Sequence, residues 1–215
     1  MSNKKLFAVS AAAAALAGAL TVGGVFAYLT FTKSVTNTFT VGNVTAELTE
    51  PGWDADAEDG LHENIYPGQS FTKDPTVTIG DGSNPAVVFM EVTYPKQTVI
   101  TVGEDGAKQA AAAVQLFEPG ELGEGWAVLE GYGSSDDDGV TVVYAYDDEL
   151  EAGASASVFS TVTFANVAEG QVVDDVAIVV KADVIQSGGM AKAGDKYTAK
   201  ELGDIYDKFV AQNAE

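Results

Sequence analysis

From Tyr28 to Val41 the chain alternates residue by residue. Tyr28, Thr30, Thr32, Ser34, Thr36, Thr38 and Thr40 carry hydroxyls, while the positions between them read Leu29, Phe31, Lys33, Val35, Asn37, Phe39 and Val41. A period of two sends successive side chains to opposite faces of an extended strand, so one face is polar throughout and the other is apolar except at Lys33 and Asn37. At roughly 3.3 Å per residue such a strand would be about 45 Å long, against a usual strand of about five or six residues. Its first half is expected to exceed what its own domain can pair. Periodicity fits two readings equally: the first strand of the chain's own sheet, or a strand that adds to an exposed sheet edge of another copy. Because donor and acceptor would be different surfaces, the second reading generates a filament.

Farther along, short runs rich in valine, threonine and aromatics recur between Gly, Pro, Asn and Asp. The pattern predicts strands at Val41 to Thr49, Gln69 to Ile79, Ala86 to Tyr94, Trp126 to Gly131, Val140 to Tyr146, Ser155 to Phe164 and Val176 to Ile185. In the last of these, Val176, Ile178, Val180, Ala182 and Val184 share one face and Lys181 and Asp183 the other, as in a half-buried strand. So many short strands imply an all-β fold, a β-sandwich. Two helices are expected with it. The tract Ala107 to Phe117, with four alanines in its middle, predicts a short inserted helix. At the C-terminus Thr198 and Glu201 form a capping-box pattern, and Leu202, Ile205, Tyr206, Phe209 and Val210 recur at helical spacing.

Ahead of the alternating segment, Lys4 and Lys5 precede an uncharged stretch from Leu6 to Thr32, rich in alanine and passing through Val25-Phe26-Ala27. This is the layout of a signal peptide with cleavage between Ala27 and Tyr28, with an uncleaved membrane anchor as the alternative. The expected organisation is a leader over 1–27, a donor-type strand over 28–41 and a β-sandwich domain with its C-terminal helix over 42–215. Loss of the leader would leave 9 basic residues against 32 acidic ones. Such acidity repels nucleic acid and anionic lipid, and suits a protein that works outside the cell, meeting the membrane only through its leader. With no cysteine, neither a disulfide framework nor a thiolate zinc site is available.

The residue inventory is poor in chemistry. The one histidine, His62, is followed by Glu63, but the second histidine of an HExxH helix is missing. No catalytic residue, metal ligand or cofactor is assigned. Asp136-Asp137-Asp138-Gly139 lacks the alternating ligands of a calcium loop and reads as a hairpin turn. Trp53, Trp126, Tyr132, Tyr144 and Tyr146 fit a sugar-stacking surface or ordinary core packing alike.

Several stretches carry a resemblance: GGVFAYLTFTKSVTNTFTVGNV from Gly23 to Val44, Glu50-Pro51-Gly52-Trp53-Asp54, Tyr66-Pro67-Gly68, Lys73-Asp74-Pro75, and Val87 to Val92. Together they resemble the exported TasA/camelysin-like proteins, whose leaders are handled by a dedicated SipW-like signal peptidase. The resemblance implies a jelly-roll β-sandwich and a secreted subunit of a biofilm-matrix or cell-surface filament. On that basis Ala27 and Tyr28 flank the cut, and Leu29, Phe31, Val35, Phe39 and Val41 form the apolar face of a strand passed to a neighbour. The implied partners are further copies of the chain, an anchoring or minor filament protein, and the signal peptidase. The junction reads Leu29-Thr30-Phe31 where relatives commonly have Ser or Thr followed by Asp. Camelysin-like relatives described as surface metallopeptidases imply an alternative activity, and a monomeric adhesion or carbohydrate-binding sandwich is the third reading.

Overall fold

The computed structural model describes residues 29–30, 44–56, 61–62, 65–171, 173 and 176–213. The chain is mainly β-sheet. In order, its elements are β1 (Leu29–Thr30), β2 (Ala46–Thr49), α1 (Pro51–Asp56), β3 (Leu61–His62), β4 (Ser70–Thr72), β5 (Thr76–Ile79), β6 (Ala86–Val99) and β7 (Ala112–Gln115). There follow β8 (Phe117–Pro119), β9 (Trp126–Val128), β10 (Ser134–Ser135), β11 (Gly139–Tyr146), β12 (Ser155–Ser157), β13 (Thr161–Phe164), β14 (Val179–Gln186) and α2 (Ala199–Asn213).

A six-stranded antiparallel sheet is built on β6, with β14 along one side and β11 along the other; β9 and β10 extend it beyond β11, and β7 pairs with the far end of β6. The apolar run in β6 is continuous because both of its faces are covered. Ala86, Val88, Met90, Val92 and Tyr94 belong to the main core, whereas Val87 and Phe89 belong to a second core beneath α2. Pro95 lies at the end of the β11 ladder, just before the β7 ladder starts at Lys96, where a missing N–H interrupts neither.

Facing this sheet are two three-stranded sheets, β12-β5-β2 and β4-β13-β8. They continue one another. Pro75 breaks the expected strand Gln69 to Ile79 into β4 and β5, and the run from Ser155 to Phe164 divides opposite it into β12 and β13. Two backbone hydrogen bonds bridge the break, from Lys73 N to Ser160 O at 3.1 Å and from Val158 N to Pro75 O at 3.1 Å. Leu48, Val77, Ile79, Phe71, Val162 and Phe164 point from this layer into the main core. The Tyr94 and Tyr144 hydroxyls, both buried there, hydrogen-bond to each other at 2.9 Å.

The C-terminal helix forms as its sequence predicts. Thr198 N donates to Glu201 Oε2 at 2.8 Å and Glu201 N to Thr198 Oγ1 at 3.3 Å, the reciprocal pair of a capping box. Leu202, Ile205, Tyr206 and Phe209 are buried against Val87, Phe89, Leu129, Val143, Ala145 and Ile185. Val210, expected on that face, is exposed.

Two expectations are corrected. The tract Ala107 to Phe117 is not helical: Ala112 to Gln115 form β7 and Phe117 begins β8. Four alanines are too few to nucleate an isolated helix, and ladder pairing of 112–115 with Lys96 to Val99 outweighs their propensity. The short helix lies instead at α1. Nor is β14 half-buried along its whole length, although Val179 is exposed and Lys181 partly so. Ile178, Val180, Ala182 and Val184 enter the main core, but on the opposite face Asp183 and Ile185 are buried as well, because α2 covers them.

Candidate functional site

Of the residues expected at the processing junction and on the donor face, Ala27, Tyr28, Phe31, Val35, Phe39 and Val41 lie outside the described residues. Leu29 is described in its backbone. It pairs antiparallel with His62, and Thr30 with Leu61, so the start of the alternating segment runs beside β3. His62 thus sits in a short strand pair. The segment leads into β2, the lateral strand of its small sheet, which lies against β14, the last strand of the six-stranded sheet among the described residues.

Two motifs far apart in sequence come together at the end of β2. Glu50 leaves β2 into α1, and Lys73 leaves β4. The Lys73 Nζ lies 2.5 Å from Glu50 Oε1, with both side chains buried, at 0% and 2% exposure. The same ammonium sits 4.8 Å above the centre of the buried Trp53 ring. Asp74 turns the other way and caps α1, accepting from Gly52 N at 2.9 Å and from Trp53 N at 3.2 Å. Glycine at 52 permits this close approach, since a Cβ would lie 2.5 Å from Thr72 Cγ2 and 3.0 Å from Asp74 Oδ2, and those side chains would have to move. Burial pushes the Lys73 amine down to about 8, against the opposing pull of Glu50. The arrangement presents an amine of lowered basicity to a carboxyl group inside an apolar enclosure.

A second cluster lies under α2. On β14, Lys181 donates to Glu91 Oε1 at 3.1 Å and to Asp183 Oδ2 at 3.0 Å, and the Tyr206 hydroxyl reaches down from α2 to Glu91 Oε1 at 2.6 Å. Burial tends to lower the Lys181 amine, but Asp183 and Glu91 together hold it above its ordinary value. Burial raises the Asp183 carboxyl to about 6 despite Lys181. Glu91 is also raised by burial, but the hydrogen bonds from Tyr206 and Lys181 outweigh that and hold it low. Sequence periodicity identified Lys181 and Asp183 as one face of a strand, but gave no sign that a helix hydroxyl would close over it.

The remaining candidates take structural roles. Asp136 Oδ1 accepts from Asp138 N and Gly139 N, both at 2.9 Å, which is a side-chain-closed turn leading into β11, as expected of the hairpin. Among the described residues no group of three or more His, Cys, Asp or Glu side chains is placed to hold a metal ion. Trp53, Trp126 and Tyr144 are buried, Tyr132 packs edge-on against Tyr206, and Tyr146 against Trp126, so these aromatics serve the cores and form no common stacking surface. Among the described residues no helix is long and apolar enough to cross a membrane. No protein-family model, curated protein or solved structure matches the chain.

Proposed function

We propose that this protein is a secreted structural subunit of an extracellular biofilm-matrix or cell-surface filament, built as a jelly-roll variant of the β-sandwich and assembled by passing its N-terminal strand to the next copy. The observation that carries the reading is a juxtaposition in the sequence: the alternation from Tyr28 to Val41 begins where an uncharged, alanine-rich stretch with the layout expected of a leader cut after Ala27 ends. Two features support it. The strands from Ala46 onward already pair into two facing layers around an extensive core, and the alternating segment lies just ahead of β2 in sequence, a lateral strand through which another chain could be joined. Burial of Leu29, Phe31 and Val35 in a neighbour would contribute roughly 1.5–3 kcal/mol for each large side chain, while the backbone ladder sets direction.

Electron microscopy of purified protein beginning at Tyr28 tests the proposal. Filaments are expected from the wild type, and none from a variant lacking Tyr28 to Val35 or from Phe31→Asp, with the circular-dichroism spectrum of the domain retained. Filaments of normal length from both variants would overturn strand exchange. A wild type that stays monomeric over the assembly range would overturn the filament reading itself.

A further inference from the structure

We propose that Glu50 and Lys73 condense into an intramolecular amide, so that the folded protein carries a covalent cross-link between the end of β2 and the end of β4. The amine nitrogen lies 2.5 Å from one carboxyl oxygen, and the carbon it would attack is one bond beyond; neither side chain reaches solvent. Trp53, Phe117, Val162 and Ile178 wall the site together with Lys73 around a cavity of about 10 Å³, room for a single water molecule.

Ions held this way are poorly solvated, and removing both charges relieves a cost that salt-bridge attraction offsets only in part. Proton transfer from the ammonium to the carboxylate gives a neutral amine beside a neutral acid. The Nζ lone pair then attacks Cδ, a C–N bond forms, one nitrogen proton passes to the departing hydroxyl, the C–O bond breaks, and one water leaves. The carboxyl carbon keeps its oxidation level, so no oxidant, reductant or second substrate is required. Amide formation is unfavourable between dilute partners in water. Two groups fixed in contact in a water-poor site react with effective molarities of about 10⁵ M and upward. The lowered basicity of Lys73 increases the fraction of free amine, and Asp54 and Asp74 are the further carboxylates whose charge it senses.

The link would do for this chain what a disulfide does elsewhere. There is no cysteine, yet on the function proposed above the leader sends the protein out of the cell, where disulfides are the common staple. An amide from Glu50 to Lys73 closes a loop that contains α1 and β3, resists reduction, and holds whether or not the chain polymerises.

Intact-mass spectrometry of the folded, purified mature protein decides the matter. The wild type is expected to be one water lighter than its sequence from the observed N-terminus. After proteolysis, the peptides containing Glu50 and Lys73 should remain joined, with the fragment spectrum locating the bond. Lys73→Arg should return to full mass. A folded wild type at full sequence mass overturns the proposal, as does a water loss that maps to another position, such as a cyclised Asp-Gly step at Asp81-Gly82 or Asp105-Gly106. Should Lys73→Arg fail to fold, the wild-type mass and peptide map still establish or refute the bond by themselves.

Discussion

The lysine–carboxylate clusters at Lys73 and Lys181 solve the same electrostatic problem in opposite ways. At Lys73 the Glu50 carboxylate faces the ammonium in a closed site, and burial wins: the amine is pushed down to about 8. At Lys181 two carboxylates share the ammonium at 3.1 and 3.0 Å, the lysine is one-third exposed, and attraction wins: the amine is held above its ordinary value. Desolvation grows with enclosure, whereas Coulomb attraction grows with the number of partners. The number of partners and the openness of the site therefore decide whether a lysine ends as a structural cation or as a latent nucleophile.

Removing one member of the closed pair is expected to have the largest effect. Glu50→Ala leaves the Lys73 ammonium in an enclosure with its facing carboxylate gone, and should lower stability by about 3–5 kcal/mol in urea unfolding. The double variant Glu50→Leu with Lys73→Met replaces both charges by apolar groups of similar size, but it also lacks the amide proposed above, so it should regain only the part of the loss that comes from the unmatched charge and stay less stable than the wild type. A double variant as stable as the wild type would mean that the pair contributes no more than mutual neutralisation, against a covalent link.

At the open cluster the corresponding change is milder. Tyr206→Phe removes the hydroxyl that hydrogen-bonds Glu91 but keeps the ring packed at a tilt against Phe89, 4.9 Å between centres. A loss of about 1.5 kcal/mol is expected, the lower end for a hydrogen bond to a charged group, because Glu91 is partly solvated. Thermal or urea unfolding checks it. A loss as large as that of Glu50→Ala would contradict the distinction between closed and open sites.

The two clusters also show what a linear reading can recover. The run Ala86 to Tyr94 is legible as a strand, though not that both of its faces are covered; Thr198 and Glu201 announce the start of α2 through local chemistry alone. The Glu50 and Lys73 motifs were visible as motifs, but their contact was not, since it depends on how β2 and β4 are placed by strands elsewhere. The burial of Asp183 is hidden for the same reason: alternation puts it on the correct face of β14 but leaves open what lies over that face. The tract at Ala107 failed differently. Its four alanines favour helix locally, and the competing signal, an unfilled ladder on β6 from Lys96 to Val99, belongs to another part of the chain. The alternation from Tyr28 to Val41 is explicit in the sequence, whereas the sheet edge it would join under the proposed exchange is a property of the folded domain.

The pH dependence of the open cluster sharpens the contrast further. Asp183 is raised to about 6 from an ordinary 3.8. The folded form therefore keeps a proton that the unfolded chain releases between those values, and the associated stability is complete below about 3.8 and lost as pH rises through about 6. Glu91, held low by Tyr206 and Lys181, works in the other direction and loses its contribution as pH falls. Replacing Asp183 by Asn removes the first effect while keeping a side chain of similar shape. The stability of Asp183→Asn relative to wild type should thus rise as pH increases from about 4 to about 6 and level off above. Urea midpoints at closely spaced pH values would show it, and a constant difference would mean that Asp183 titrates alike in the folded and unfolded chain.

The smallest expected effect tests whether the lid over that cluster is held locally or by its packing. Thr198 and Glu201 close the first turn of α2, and the loop before it is tied down separately by Lys196 to Asp147 at 2.8 Å, Lys192 to Asp148 at 2.8 Å and Tyr197 to Glu149 at 3.0 Å. Gly203 lets the helix approach closely, since a Cβ there would lie 2.8 Å from the Tyr132 hydroxyl. With so many anchors, Thr198→Ala should cost only about 1 kcal/mol, the ordinary value of an N-cap, and fray just the first turn. Amide hydrogen exchange would then quicken in the first turn of α2 and remain slow from Ile205 to Phe209. Exchange that quickened along the whole helix would instead mean that α2 opens as a unit from its N-terminus, and that the cap, more than the buried face, keeps Glu91, Lys181 and Asp183 covered.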